Sequence, residues 1–155
     1  MLVQKYDDAE KCLKNAIRFK SDMKEAHNDL VMVLRKKDDN EGALKVCNHA
    51  LKSHDSDDTL HRNKGNILYA LDKPEEALES FEKALDLNPY VVDTWVNKGT
   101  VLWKALERRD EALAAFDKAL EINPNFMAAV DSRITLEAEI KANRPSFWKR
   151  IFGGG

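Results

Sequence analysis

The run Asn63-Lys64-Gly65-Asn66-Ile67-Leu68 comes back 34 residues later as Asn97-Lys98-Gly99-Thr100-Val101-Leu102. The stretch from Glu75 to Leu85 then aligns with Asp110 to Leu120 at an offset of 35, which puts a one-residue insertion in the turn near Glu107-Arg108. Asn88-Pro89 recurs as Asn123-Pro124 at that second offset. Stepping back by 34, Ala77 and Ala84 fall on Ala43 and Ala50, and one further step reaches Ala9 and Ala16. A period of this length describes like units stacked in a row, each covering a face that its neighbour cannot bury alone.

The residues inside one period say what the unit is. Gly65 and Gly99 stand within helical patterns, where glycine costs about 1 kcal/mol relative to alanine and so requires a packing reason. Close approach of a second helix is that reason. Ala77 and Ala84, and Ala112 and Ala119, place small side chains seven apart on one helical stripe. Phe81 and Phe116 lie on the same stripe and are expected to fill the space between repeats. Pro74 followed by Glu75-Glu76 suits a helix start, since proline loses nothing at the first helical position and acids there oppose the macrodipole. Asn88 and Asn123 each precede a proline and end their helices. The pattern predicts helices over 6–19, 24–37, 40–53, 58–71, 74–87, 92–106, 109–122 and 126–142.

These motifs resemble the tetratricopeptide repeat over nearly all of residues 1–142. Trp95, Gly99, Ala112, Phe116, Ala119 and Pro124 fill that family's pattern, as do Gly65, Ala77, Phe81, Ala84 and Pro89 in the preceding copy. The resemblance implies an all-α, right-handed α-α superhelix of helical hairpins. It divides into a half repeat at 1–23, repeats at 24–57, 58–91 and 92–126, and a capping helix at 127–142. Residues 24–57 depart from the pattern: Val31 replaces the glycine, Cys47 the aromatic ring and Asp55 the proline, so this hairpin is expected to close less tightly and open first. On the last helix Val130, Ile134 and Ile140 are expected to face inward, with Asp131, Glu137 and Lys141 in water.

The resemblance also implies a protein-interaction scaffold. First helices line the concave face of such a stack, and side chains pointing away from the small-residue seam would meet a peptide ligand. These are Asn28, Met32, Arg35 and Lys36, then Arg62, Asn63, Asn66 and Tyr69, then Val96, Asn97, Thr100 and Trp103. They combine amide donors, a carboxylate fork and apolar platforms. In spacing, Arg62, Asn66 and Asn97 are similar to the first three positions of a carboxylate-clamp sub-family. The other two clamp positions fall on Ala128 and Ser132, which carry no charge, although Arg133 is adjacent. Neutral or mixed peptide recognition is the expectation.

Composition excludes other classes. A net charge of −2 argues against a general nucleic-acid binder, and no apolar run approaches the roughly 20 residues of a membrane span. Cys12 and Cys47 form neither a disulfide framework nor a zinc cluster, and suit a reducing cytoplasm. His27 and His61 fill one slot in adjacent repeats and read as packing residues, since no third ligand type is near either. Glycines 42, 65 and 99 stand alone, so there is no phosphate loop, and no cofactor or enzymatic activity is expected. Two ends remain open. The first helix lacks a partner helix, which fits a fragment of a longer array or a homo-oligomer contact through the N-terminal helix. After it come the repeats, and then an aromatic-basic tail at 143–155 with Phe147, Trp148, Lys149, Arg150, Ile151 and Phe152, readable as a docking peptide, as a membrane anchor that would make this a targeted regulatory domain of a larger protein, or as a segment folded over the last helix or flexible.

Overall fold

In the computed structural model, which describes residues 2–20 and 23–143, all regular structure among those residues is helical. Eight helices follow in order: α1 Leu2–Phe19, α2 Lys24–Lys36, α3 Asn40–Ala50, α4 Asp58–Ala70, α5 Pro74–Leu87, α6 Val92–Lys104, α7 Arg109–Ile122 and α8 Met127–Asn143. The chain is a right-handed solenoid. Hairpins α2–α3, α4–α5 and α6–α7 stack in sequence, α1 takes the place of a second helix ahead of them, and α8 closes the far end. First helices α2, α4, α6 and α8 also touch one another in order, forming an inner row.

Local chemistry starts α3, α4 and α5. The Asp39 carboxylate accepts from Gly42 N–H at 2.8 Å to cap α3, and Asp57 accepts from Leu60 N–H at 2.8 Å to cap α4. Pro74 opens α5. Asn88 and Asn123 end α5 and α7 in extended backbone, as a residue before proline should. α3 stops at Ala50, three residues short of the expected end at 53. With no proline to end it, Lys52 N–H and Ser53 N–H turn to His49 O and Ala50 O in tight i→i−3 bonds.

The small-residue seams work as pairs. A Cβ on Gly65 would stand 2.6 Å from Phe81 Cε1, and one on Gly99 2.6 Å from Phe116 Cε1. Each ring is therefore pressed onto the glycine of its own hairpin. The rings also reach between units as expected: Phe81 shares a cluster with Val101 of the next repeat, and Phe116 with Ala129 and Leu136 of α8. In the first hairpin Val31 and Cys47 occupy these two positions, and both are fully buried. Expected contacts on α8 change too. Ile134 is 58% exposed, while Ala129 and Leu136 are buried and Ile140 packs beside them. The reason is periodicity: Val130, Ile134, Glu137 and Lys141 share one stripe, so Ile134 goes with the charged side chains.

Candidate functional site

The inner row brings most of the expected recognition residues side by side, but it uses them unevenly. Asn63 Nδ2 donates to Asn28 Oδ1 at 3.0 Å, joining α4 to α2. Asn97 Nδ2 donates to Asn66 Oδ1 at 2.9 Å, joining α6 to α4. An amide has two donors and two acceptor lone pairs, so each contact leaves capacity on both partners. Asn28, Asn66 and Asn97 are half-buried, and Asn63 is buried.

Around these amides lie Met32 at 44% exposure, Tyr69 at 37%, and the half-buried Arg35 and Arg62. Arg62 Nε is buried and has no hydrogen-bond partner among the described residues. The half-buried Arg62 guanidinium, beside amides that retain capacity, can give a ligand oxygen a charge-assisted bond from its outer N–H groups. Met32, Arg35 and exposed Lys36 line a pocket of about 340 Å3 with Asn40 and Ala70, at the end of α2 and α4.

Three expected residues point inward. Val96 and Trp103 are buried in the core with Phe116, and Asn63 is buried where α4 meets α2. The Trp103 indole meets Phe116 edge-on at 6.3 Å, carries Lys104 Nζ 3.1 Å from its ring centroid, and donates from Nε1 to Glu139 Oε2 at 2.8 Å. Of these three neighbours Lys104 is adjacent in sequence, whereas Glu139 reaches Trp103 across 36 residues, which repeat spacing does not announce. Thr100 Oγ1 donates to Val96 O of its own helix at 2.9 Å. The clamp-like set ends in the same way: Arg133 is held by Asp117 and Glu137.

The remaining candidates settle plainly. His27 and His61 are buried, but the ring beside His27 is that of His49, 5.9 Å away, and not His61. Among the described residues no three His, Cys, Asp or Glu side chains gather into a metal-binding group. Cys12 is exposed. Cys47 is buried, donates from Sγ to Leu60 O at 3.1 Å, and burial pushes its pKa up to about 12, so it stays a thiol. No helix among the described residues is long and apolar enough to cross a membrane. Apart from Asn143, the proposed tail residues fall outside the described residues, as do the Leu2 and Val3 side chains.

The sequence matches the tetratricopeptide repeat family at residues 3–58, 59–90 and 92–126. Among solved structures, the fold is similar to that of MamA: TM-score 0.80 at 18% identity, covering 88% of this chain and 79% of that one. It is also similar to YrrB, described as a TPR protein with an unusual peptide-binding site, with TM-score 0.73 and 22% identity over 92% of this chain and 73% of that one. A third similar structure is the first TPR of Spaghetti bound to the HSP90 peptide SRMEEVD, with TM-score 0.71 and 17% identity over 74% of this chain and 90% of that one. No curated protein matches the sequence.

Proposed function

Since this chain belongs to the tetratricopeptide repeat family, we propose that it is a protein-interaction module that takes an extended or helical peptide segment along the inner row of α2, α4 and α6. The observation that carries this reading is the line of half-used amides from Asn28 to Asn97, with the half-buried Arg62 guanidinium beside it. Backbone carbonyls and carboxylates of a peptide complete such bonds, while Met32 and Tyr69 offer it apolar contact. That Spaghetti and YrrB carry peptides or a peptide-binding site in the same fold supports the reading.

The groove is open to mixed peptides rather than built around one terminal carboxylate. Ala128 and Ser132 supply no cation at its far end, and Arg133 already has two carboxylates. The test is capture of partners on the immobilised protein, with the bound segment mapped by proteolysis. Arg62→Ala with Asn66→Ala should weaken capture at least tenfold with helicity unchanged, because both side chains are only half-buried. Undiminished capture by that variant places the ligand elsewhere. A second reading, homo-oligomerisation through α1, has in its favour the Phe19 side chain at 97% exposure at the helix end. Concentration-dependent light scattering separates the two, since the groove variant leaves α1 intact.

A further inference from the structure

Where α1, α2 and α3 meet there is a pocket of about 420 Å3 that shares no lining residue with the inner-row groove. Its walls are the side chains of Ile17, Leu30 and Val46. Arg18 and Lys45 stand on its rim, both exposed and neither with an ion-pair partner among the described residues. The third rim cation, Lys14, is held by Glu10 at 2.6 Å. No carboxylate lines the pocket.

Two imidazoles add polar groups to this wall, the exposed His49 and, 5.9 Å from it, His27. His27 is 2% exposed, its Nδ1 is 2.9 Å from Met23 O, and its Nε2 is buried with no partner among the described residues. The equivalent junction one repeat on is different. There His61 Nε2 is satisfied by Asp55 O at 2.8 Å, Lys64 stands where Leu30 does, and Asp55 and Asp86 balance the local lysines. The apolar wall, the unbalanced positive rim and the unmatched imidazole nitrogen occur together only at the first of these two junctions.

We propose that this pocket binds a small aliphatic amphiphile with an anionic head. The tail covers Ile17, Leu30 and Val46, and the head meets Arg18 and Lys45, with the His27 imidazole on the wall as a further partner. The volume lies toward the lower end of the roughly 300–1,000 Å3 typical of small-molecule sites, which suits a small ligand rather than a folded partner. Such a ligand bridges three helices and so stabilises the junction of the half repeat with the first full repeat by mass action.

Decanoate, below its micelle concentration, is the probe, and amide chemical shifts of the isotope-labelled full chain are the readout. Decanoate should move resonances around Ile17, Leu30 and Val46 and leave those of α6 and α7 in place. Arg18→Glu with Lys45→Glu should weaken that effect at least tenfold, while unchanged α6 and α7 resonances show that the variant is folded. Decyltrimethylammonium, with the same tail and the opposite charge, should not bind there. Equal binding of the cationic amphiphile, shifts spread over every exposed apolar side chain, undiminished decanoate binding by the variant, or no shift at all would each overturn the proposal. None of these results bears on the inner-row groove, whose variant carries different residues.

Discussion

The hairpin at 24–50 and the two hairpins at 58–87 and 92–122 close the same seam by opposite means. In the later pair the first helix gives up its side chain, at Gly65 or Gly99, and a phenylalanine from the second helix fills the space to contact. In the first hairpin the bulk sits on the other side: Val31 fills the space from α2, and Cys47 is the small partner on α3. Volume is roughly conserved across the seam while its ownership is exchanged, which is how cores tolerate substitution. What differs is the size of the side chain that reaches across. Phe81 packs with Val101 of the following repeat, whereas the smaller Cys47 shares a cluster with Leu60 and Ile67 of the next repeat and adds a polar contact, Sγ to Leu60 O. α3 is also 11 residues long where α5 and α7 are 14. The first hairpin thus meets its neighbour through several small side chains and a thiol, and the later ones through a ring.

The strongest way to break this comparison is to transplant one seam onto the other. Phe116→Cys alone should cost about 3–4 kcal/mol, because it empties a fully buried ring site. Gly99→Val alone should cost about 2–3 kcal/mol by overpacking, since its Cβ would start 2.6 Å from the ring. Together they recreate the Val31–Cys47 pair. The double variant should therefore recover at least about 2 kcal/mol of the summed loss in urea unfolding. Strict additivity would show that the two seams are not interchangeable solutions.

A smaller perturbation sharpens the contrast from the other side. The buried Asp57 carboxylate caps α4 and reaches Lys24 of α2 at 2.8 Å, so it fastens the first repeat to the second. Burial pushes its pKa up, but the Lys24 ammonium and the Leu60 N–H outweigh that and leave it below the ordinary value. A lowered carboxylate pKa contributes stability above the unfolded value, and that contribution is lost as pH falls through the folded one, so acid should loosen this junction. Asp57→Ala should cost about 1–2 kcal/mol. It should speed thiol labelling of buried Cys47 several-fold, while exposed Cys12 is unaffected and the unfolding of Trp103 scarcely moves. Equal destabilisation at Trp103 would mean that the stack opens as one body.

These results also mark what could be read from residues in order. The period, the hairpins and the exchanged seam residues were all legible, because glycine, alanine, aromatic and proline at fixed offsets each have a backbone or packing cause. Depth was not. Spacing gives Val96 and Trp103 a direction around the helix, but their burial depends on Phe116 and Glu139 arriving from other elements. The amide contacts Asn28–Asn63 and Asn66–Asn97 span 35 and 31 residues, and no local pattern announces them. The pocket beside His27 exists because α1 and α3 flank α2 with apolar side chains at Ile17 and Val46, which again is a tertiary fact.

One feature is common to all three hairpins, and there the two regions should behave alike. Asp38, Asp72 and Glu107 sit at the same repeat position, between first and second helix, with φ of 61°, 57° and 54°. The following N–H returns to a leucine carbonyl of the first helix: Asp39 to Leu34 and Lys73 to Leu68 at 2.9 Å, and Arg108 to Leu102 at 2.8 Å, one residue further back because of the insertion. This geometry closes a helix end much as a left-handed glycine does. A side chain in that conformation costs on the order of 1–2 kcal/mol, less for aspartate than for glutamate, which is less often found there. Glycine removes the strain but gives back part of the gain through a freer unfolded chain. Glu107→Gly should therefore raise stability by about 0.5–1 kcal/mol, and Asp38→Gly and Asp72→Gly by about half as much, each read as a urea midpoint at unchanged slope. A gain at Asp38 equal to that at Asp72 would show that the first hairpin differs in its seam and not in its turn. A loss at Asp38 alone would extend the difference to the whole unit.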